Sequence, residues 1–544
     1  MKILTQLVLA LILIGTSAQS RSQSALNAPD SGGSINVVLP ESAVANTLRG
    51  RLFLYVTKTA NIEPRLEGAK LFAQNVTDWV PGQSVAMLRS AVGYPEHKLS
   101  DLAPGDYYVQ VLFNRFTEFK RSDGHTIWAH MDQWEGQNFV KSPGNLYSLP
   151  QKVHVDINSN TQINLVLTQT IPPIVVPQDS VWVKRIKFES PMLSHFWGHP
   201  IYLGATVLLP KGYNEHPDVH YPVVYLQNHF SIGAPMGFKE PESNTLSSSA
   251  ALDGKEKKTF TDAWLSEHFP RVIIVTFQHP TPYFDDSYAV NSPNCGPYGD
   301  AIMQELIPAV EKQFRVIAEP YGRVLTGGST GGWETLALQI YHPDFFNGAW
   351  AFSPDPVDFR LYYGGVNIYK DDYAFIQRKE IGYVGGGLMN SQGSQRAIVI
   401  GMQDNRFEWW KHTPCDENGY PQNVWDLTTG KVNHAVAEEM RKNGFDLRDY
   451  LSRHWSDIGN KLEGKFYVCA AHDDAFYSNL AVHLLDDFLK NTTNPHNEAI
   501  VRYGPPGSHH VWQPMPNEEL ILLMVKHIQE TAPGGTDVSS WIAL

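Results

Sequence analysis

The spacing of apolar residues changes near residue 177, and the change predicts two architectures in one chain. Over residues 35–170, short runs alternate between apolar and polar positions, as in residues 51–57 (RLFLYVT) and 153–157 (VHVDI). Alternation with a period of two is typical of strands that bury one face. Because no long helical pattern interrupts these runs, we expect a β-sandwich-like domain over residues 30–177.

A second pattern begins after the proline-rich residues 171–177 (IPPIVVP), which favour an extended linker. The apolar runs are now continuous, as is typical of strands covered on both faces. Residues 181–188 and 202–209 look like an antiparallel pair, and further strands are predicted at residues 222–226, 272–277, 324–326, 348–352, 466–471 and 499–503. Helical spacing occurs at residues 300–314, 333–341, 479–489 and 518–530. Strands that alternate with helices predict an α/β domain with a mostly parallel sheet over residues 178–544.

The alternation of strands and helices is interrupted between residues 360 and 463. This polar and aromatic stretch contains Trp409, Trp410 and Trp425. We interpret it as an insertion above the edge of the sheet. Such an insertion either forms a lid or wall of a site or is a plain surface excursion, and the sequence favours neither.

The most informative motif is a serine between glycines, at residues 324–333 (VLTGGSTGGW). An apolar strand leads into it and a helical pattern follows. A sharp turn from strand to helix requires small neighbours around the serine, and it presents the serine oxygen above the free N–H groups of a helix N-terminus. Ser329 is therefore the candidate nucleophile, and the backbone N–H of Thr330 is the candidate first donor to an oxyanion.

A serine nucleophile needs a histidine that takes its proton and a carboxylate that orients this histidine. The loop after the penultimate predicted strand contains Asp473 and Asp474, and the loop after the last one contains His509 and His510. The order serine, aspartate, histidine is that of an α/β-hydrolase sheet. We expect Asp474 or Asp473 to be the acid. The base is His510 or His509, and Asp355, in an earlier loop, is the alternative acid.

Three segments carry a resemblance to a known family: GGSTGGWETLALQIYHPDFFNGAWAFSPD, YVCAAHDDAFYSN and GSHHVW. They resemble the putative-esterase family of α/β-hydrolases, which includes feruloyl, acetyl-xylan and enterochelin-type esterases and mycolyltransferases. The likeness covers about residues 181–530 and implies the α/β-hydrolase fold. By position, it makes Ser329 the nucleophile, Asp474 the acid of an Asp-x-x-Tyr turn and His510 the base of a His-x-Trp motif. The N-terminal domain looks like the accessory domains that precede some exported esterases.

One part of the chain departs from that family. Its members commonly continue the third strand as Leu-His-Gly, where a backbone N–H completes the oxyanion hole, whereas residues 226–230 here read LQNHF. Without the glycine, the N–H of Phe230 or of His229 is the expected second donor. Trp333, in the helix that follows the nucleophile, is the candidate substrate-binding aromatic residue, although core packing explains it equally well.

Charge and the N-terminal residues narrow the cellular setting. The net charge of −13 disfavours nucleic-acid and anionic-membrane partners. Residues 1–18 combine Lys2, an apolar stretch and then small residues, the pattern of a secretory signal peptide. No other run reaches the roughly 18 apolar residues of a membrane span. We therefore expect a soluble protein without a membrane anchor, periplasmic or secreted.

Cysteine and histidine spacing gives little support to bridges, metals or cofactors. Cys295 and Cys415 lie in loops, and Cys469 lies in an apolar run. A bridge between Cys295 and Cys415 and three free thiols are equally compatible with this spacing. Neither a helical His-x-x-x-His pair nor paired cysteines occur, and the glycines at residues 385–387 lack a following lysine. We expect neither a metal nor a cofactor.

Together these features predict an exported serine esterase that works through an acyl-enzyme. Its substrate is expected to be a small-molecule or polysaccharide-linked ester, with an aromatic acyl group or a carbohydrate alcohol. A serine peptidase or acyltransferase on the same fold is an alternative. So is a carbohydrate-binding or adhesion protein that keeps the fold with an idle site, because a fold alone does not fix activity. The oligomeric state stays open.

Overall fold

The computed structural model describes residues 33–160, 162–241, 259–375, 391–401 and 411–541. The predicted signal peptide lies outside these ranges, as do Trp409, Trp410 and the glycines at residues 385–387. The strands of the first part of the chain are β1 (Ser34–Val38), β2 (Leu48–Thr57), β3 (Lys70–Trp79), β4 (Ser84–Ala86), β5 (Val92–Tyr94), β6 (Gly105–Lys120), β7 (Thr126–His130), β8 (Leu146–Tyr147), β9 (Gln151–Val155), β10 (Gln162–Val166) and β11 (Gln169–Thr170).

These eleven strands form two sheets with an apolar layer between them. One has the order β10-β1-β4, and the other has the order β11-β8-β6-β2-β3-β5, with β7 and β9 also paired to β6. Alternate residues of β1, Ile35 and Val37, and of β10, Ile163 and Leu165, are buried in this layer. The alternating pattern therefore corresponds to strands that bury one face, and the first part of the chain is all-β and largely antiparallel.

The second part of the chain contains the α/β sheet. Its strands are β12 (Val183–Glu189), β13 (Tyr202–Leu208), β14 (Val223–Gln227), β15 (Ile273–Gln278), β16 (Asn291–Ser292), β17 (Gly296–Pro297), β18 (Arg323–Gly328), β19 (Ala349–Phe352), β20 (Phe466–Ala470) and β21 (Ile500–Tyr503). Its helices are α1 (Pro191–Trp197), α2 (Phe260–Trp264), α3 (Tyr298–Ala301), α4 (Ile307–Gln313), α5 (Thr330–Tyr341), α6 (Ser391–Ile400), α7 (His434–Lys442), α8 (Leu447–Ile458), α9 (Ser478–Lys490) and α10 (Asn517–Thr531).

Eight of these strands form one sheet in the order β12-β13-β15-β14-β18-β19-β20-β21. Strand β13 runs antiparallel to both of its neighbours, and every other pairing is parallel. The central strands are buried along their whole length because helices cover both faces, which explains their continuous apolar runs. The predicted α/β-hydrolase fold with a preceding all-β domain is confirmed, and the carboxyl ends of β14, β18, β20 and β21 lie along one edge of the sheet.

A hairpin from the all-β part enters the core of the α/β part. Residues 116–120 of β6 pair with residues 126–130 of β7. Phe119, Ile127 and Ala129 of this hairpin are buried in the same apolar cluster as the α/β sheet. The Phe119 ring lies edge-on to Trp197 of α1, with ring centres 5.4 Å apart. The two parts of the chain therefore share a core across the predicted boundary at residue 177.

Arg121, at the tip of this hairpin, fixes it in place. Its side chain is buried and donates to the carbonyl oxygens of Pro293 at 2.7 Å and Gly419 at 2.9 Å. One of these acceptors belongs to the α/β part proper and the other to the predicted insertion. If the hairpin moved, the buried guanidinium would lose these acceptors, and unsatisfied buried donors cost free energy. These hydrogen bonds therefore stabilise the position of the hairpin.

The predicted insertion also contacts the all-β part. Helix α6 lies against the edge strand β5, where Gln395 donates to the carbonyl oxygen of Gly93 at 2.8 Å. Arg51 of β2 donates to the carbonyl oxygen of Val399 at 2.9 Å. The described part of the insertion is thus neither a free lid nor a free surface loop here, because it is packed between the two parts of the chain.

Two further observations concern the cysteines and the membrane. Cys295, Cys415 and Cys469 are all free, and the Cys415 thiol contacts Asn294 Oδ1 at 3.0 Å. Of the two alternatives that the sequence left open, the structure has three thiols. Among the helices in the described ranges, none combines the length and the apolar character needed to cross a membrane.

Candidate active site

Ser329 occupies a strained turn between β18 and α5. Its backbone angles are φ 56° and ψ −123°, a region that non-glycine residues rarely adopt. The turn is so tight that a Cβ atom on Gly327 would lie 2.3 Å from the carbonyl oxygen of Gly331. A Cβ on Gly331 would lie 2.1 Å from the carbonyl oxygen of Gln227. Only glycine fits at these two positions, which gives the motif its physical cause.

His510 reaches Ser329 from the loop after β21. Its Nε2 lies 2.8 Å from Ser329 Oγ. The next residue, Val511, has φ 61° and packs directly on Gly328, where an added Cβ would come within 2.5 Å of Val511 Cγ1. His509, by contrast, is exposed. Of the two candidate histidines, the structure therefore brings His510 to the serine.

Asp474 holds the other side of the imidazole. Its Oδ2 lies 2.9 Å from His510 Nδ1, and its Oδ1 accepts the N–H of Phe476 at 2.8 Å. The carboxylate is completely buried and the histidine is 17% exposed. With Nδ1–H directed at the carboxylate, Nε2 is left as the acceptor for the serine proton.

Asp473 has a different set of partners. Its side chain is 37% exposed, lies 2.6 Å from His472 Nδ1, and accepts the N–H of Gly507 at 2.7 Å. Its hydrogen bond with His472 lowers the pKa of the Asp473 carboxyl. Asp473 thus ties the aspartate loop to the histidine loop, whereas Asp474 orients the base.

Asp355 is a second polar neighbour of the serine hydroxyl. Its Oδ1 is 3.3 Å from Ser329 Oγ, and its Oδ2 accepts the hydroxyl of Thr330 at 2.9 Å and the hydroxyl of Tyr288. The single proton of Ser329 has two possible acceptors, and the shorter distance favours His510. Asp355 contacts the nucleophile itself and is not the carboxylate that orients the base.

Tyr288 is a residue of this site that the sequence did not reveal. It is buried, has φ 54°, and follows β15 in a loop without a recognisable motif. The only available signal was the polar and aromatic composition of that loop. Its hydroxyl donates to Asp355 and lies 3.5 Å from the hydroxyl of Tyr363.

The expected oxyanion donors lie at the start of α5 and after β14. As the first residue of α5, Thr330 has no preceding helical turn to accept its N–H, so this donor faces the serine side of the turn. The N–H of His229 already donates to Asn228 Oδ1 at 2.9 Å. Phe230 is therefore the better of the two candidates for the second donor, and this assignment stays a prediction.

Trp333 does not lie on the substrate side of α5. Only 1% of its surface is exposed, and its ring packs against Tyr288 and His412, with ring centres 5.1 and 4.5 Å away. Of the two roles that the sequence left open for Trp333, its burial fits core packing and not substrate binding. The helical register turns position 333 inward, where a large ring fills the core.

A cluster of buried charges lies beside the second oxyanion position. Lys411 is fully buried, with Nζ 2.5 Å from Asp286 Oδ1 and 3.8 Å from Asp285. His229 Nδ1 lies 3.0 Å from Asp286 Oδ2. Although burial acts to raise it, Lys411 and His229 hold the pKa of Asp286 well below its usual value.

The same cluster contains the group of side chains that best resembles a metal site. One ligand atom each from His229, Asp285 and Asp286 lies within 4.8 Å of the others. The ammonium group of Lys411 already supplies a cation to both carboxylates. Lys411 thus partly neutralises the two carboxylates.

Two buried histidines and a buried acid lie under the nucleophile helix. Burial lowers the pKa of His279 to about 4 and that of His412 to about 3. Glu334 of α5 is completely buried, and neither of its carboxyl oxygens has a hydrogen-bond partner among the described residues. Burial raises the pKa of Glu334 well above its usual value.

Comparison with known proteins gives a family for part of the chain. Residues 202–449 match the model of a family described as putative esterase. A curated relative, the endo-1,4-β-xylanase/feruloyl esterase of Xylanibacter ruminicola, is 24% identical over 149 residues, which are 27% of this chain. The matched segment spans only 18% of that relative's length.

Solved structures are similar at a lower level. A ferulic acid esterase has 15% identity and a TM-score of 0.36, with 64% of this chain and 98% of that one covered. An S-formylglutathione hydrolase from Agrobacterium tumefaciens has 12% identity and a TM-score of 0.34, with 65% and 97% covered. The ferulic acid esterase of Anaeromyces mucronatus has 16% identity and a TM-score of 0.30, with 64% and 89% covered.

Proposed function

Because residues 202–449 match the model of the putative-esterase family, we propose that this chain is a serine esterase that hydrolyses carboxylic esters. One observation carries the proposal: Ser329 Oγ lies 2.8 Å from His510 Nε2, whose Nδ1 lies 2.9 Å from the buried Asp474. A strained serine, a base and an orienting carboxylate at one sheet edge are what covalent acyl transfer requires.

The reaction begins when Ser329 Oγ attacks the carbonyl carbon of the ester. His510 Nε2 takes the serine proton, and Asp474 stabilises the imidazolium that forms. The C–O bond to the alcohol then breaks, His510 returns the proton to the leaving alcohol, and an acyl-enzyme remains on Ser329. Water attacks this ester with His510 again as the base, which releases the acid and restores the hydroxyl.

Two backbone donors stabilise the oxyanion of each tetrahedral intermediate. The Thr330 N–H is the first, and the Phe230 N–H is the second. Each donor contributes on the order of 10²-fold to 10³-fold in rate. Since Asp355 lies 3.3 Å from Ser329 Oγ, the hydroxyl is held between two acceptors before the attack, and the shorter contact selects the direction of proton transfer.

The proposed substrate is an ester with an aromatic acyl group or a carbohydrate alcohol. It is supported by the name of the curated relative, a xylanase/feruloyl esterase, over the shared 149 residues. We also propose that residues 1–18 direct export to the periplasm or the extracellular medium, where polysaccharide esters are available as substrates. A panel of methyl ferulate, acetylated xylan and peptide substrates separates an esterase from a peptidase on the same fold.

The decisive experiment is covalent labelling of the full chain with a fluorophosphonate. The wild-type chain is expected to be labelled on Ser329, and Ser329→Ala is expected to lose both labelling and ester hydrolysis. Ser456→Ala, an exposed serine on α8, is the matched control and is expected to label normally. Labelling that survives Ser329→Ala would refute the nucleophile. A wild-type chain that neither labels nor hydrolyses esters, yet binds polysaccharide in calorimetry, would favour an idle site in a binding protein.

A further inference from the structure

A loop of the all-β part lies next to the second oxyanion position. It follows β7 and spans residues 131–137, and it is organised by Asp132. The Oδ2 of Asp132 accepts the N–H of Trp134 at 2.9 Å, and its Oδ1 accepts those of Gly136 at 2.9 Å and Gln137 at 3.2 Å. A single carboxylate thus fixes the conformation of the loop.

The loop is held in an unfavourable backbone conformation. Trp134, Gly136 and Gln137 have φ values of 72°, 68° and 60°. For a non-glycine residue such a conformation costs on the order of 1–3 kcal/mol, and it persists only where the surroundings impose it. Besides Asp132, those surroundings include the buried contact of 2.8 Å between His130 Nε2 and Glu135. Strain of this kind is characteristic of segments that place a side chain precisely.

The side chain that this loop places is Trp134, and its neighbour is Phe230. The two rings meet edge-to-face, with centres 5.2 Å apart and planes at 90°. Gly136 lies so close that an added Cβ would come within 2.7 Å of the Phe230 ring. The ammonium group of Lys187 lies 4.2 Å from the centre of the Trp134 ring. Phe230 is thus confined by Trp134 and Gly136, and Trp134 is supported in turn.

Phe230 stands directly after the backbone that touches the nucleophile helix. A Cβ on Gly331 would lie 3.0 Å from the N atom of Asn228, two residues before Phe230. The segment from Gln227 to Phe230 has no helix or strand of its own beyond β14 to set its conformation. Side-chain contacts therefore set its position: His229 is held by Asp286, and Phe230 is held by what surrounds its ring.

We propose that Trp134 is a positioning residue of the active site, through which the all-β part fixes the Phe230 backbone as the second oxyanion donor. The inference rests on the proposed esterase function and adds a role to a part of the chain remote in sequence from Ser329. On this account the all-β part is a component of the catalytic unit. An edge-to-face aromatic pair has the directionality needed to set the ring, and so the backbone, in one place.

The test compares three variants of the full chain. Trp134→Ala removes the contact, Trp134→Phe keeps an aromatic edge, and Trp79→Ala removes a buried tryptophan from the core of the all-β part, where it packs on Phe113. For each variant, kcat and KM on an aryl ester, the affinity for a boronic acid transition-state analogue, the thermal midpoint and the hydrogen exchange of the peptide containing Phe230 are measured.

We expect Trp134→Ala to lower kcat between about 10-fold and 10²-fold, because a displaced donor costs up to what a deleted one does. Affinity for the analogue should fall in parallel, KM should change little, and the Phe230 peptide should exchange faster. Trp134→Phe should restore kcat to within about 3-fold. Trp79→Ala should lower the thermal midpoint and leave kcat unchanged.

Several results would overturn the inference. If Trp134→Ala keeps the wild-type kcat, or if Trp79→Ala loses kcat to the same extent, Trp134 has no specific role. Faster exchange at Phe230 without a change in kcat would mean that the loop is held but is not used. In each of these cases the wild-type chain still labels on Ser329, which distinguishes them from a failure of the proposed function itself.

Discussion

At the scale of single residues, two adjacent aspartates have opposite surroundings. Asp474 is buried and contacts His510, whereas Asp473 is partly exposed and contacts His472 and Gly507. We expect Asp474→Asn to lower kcat by about 10⁴-fold, because an amide no longer holds the imidazole in the required tautomer. Steady-state kinetics on an aryl ester measure this effect. Asp473→Asn is the matched control and should cost less than about 10-fold; equal losses would contradict the assignment.

Buried histidine also makes the stability of the fold depend on pH. Because burial lowers the pKa of His279 to about 4, the fold keeps this imidazole neutral, while the unfolded chain binds a proton below about pH 6.5. The unfolded state then holds more protons between these values. The contribution of the neutral His279 to the free energy of unfolding is therefore fully present above about pH 6.5. As the pH falls towards 4, this contribution is lost at about 1.4 kcal/mol per pH unit.

A substitution isolates this contribution from those of the other buried groups. Urea titrations of the wild-type chain and of His279→Asn between pH 4 and 6.5 compare the slope of the unfolding free energy against pH. The variant should have a shallower slope, by about one proton. The same substitution at the exposed His268 is the control, and identical slopes for His279→Asn and the wild-type chain would show that His279 does not titrate as described.

At the scale of elements, β18, α5 and β14 pack closely because Gly327 and Gly331 have no side chain. A methyl group on Gly331 would lie 2.1 Å from the carbonyl oxygen of Gln227. Gly331→Ala is therefore expected to push α5 away from β14 and to cost about 1–3 kcal/mol in unfolding free energy, with a loss of kcat as Thr330 moves. Gly534→Ala meets nothing within 4 Å and should stay within about 0.5 kcal/mol. Urea denaturation and kinetics report both; a neutral Gly331→Ala would contradict the close approach.

The strands of the α/β sheet were predictable because both of their faces are buried. Continuous apolar runs placed β14, β15, β18 and β20 within one or two residues of their observed limits. The order of the loops likewise brought an aspartate and a histidine to Ser329. The period of the apolar residues and the order of the loops along the chain can both be read directly from the sequence.

Contacts between distant segments were not predictable in this way. The choice between Asp473 and Asp474 depends on which carboxylate is turned inward, and the inward position of Trp333 depends on the register of α5. Tyr288 and Lys411 reach the site from loops without a motif. The β6–β7 hairpin has the same period-two pattern as its neighbours, so nothing in its sequence shows that Phe119 and Ile127 pack on a different core.

At the scale of the whole molecule, the shared core predicts how the chain behaves when it is cut. Residues 172–177 are largely exposed, and Val175 is 87% exposed. If a protease site is inserted between Val175 and Val176 and cleaved, the two fragments should elute together in size-exclusion chromatography. They should remain bound because Phe119 and Arg121 stay buried in the α/β part. Concentrated guanidinium chloride should separate them, which verifies complete cleavage. Fragments that separate without denaturant would show two independent domains.

The anchoring of Arg121 also sets an order of events during synthesis. Its acceptor on Gly419 lies 298 residues further along the chain. At about 5–20 residues per second, a ribosome delivers that carbonyl about 15–60 s after the arginine. Over this interval the hairpin tip, with its apolar Phe119 and Ile127, has emerged without its final partners. The all-β part is synthesised first, but its hairpin can pack fully only after the α/β part has been synthesised. A nascent chain of this protein therefore exposes a defined hydrophobic hairpin that a chaperone could bind.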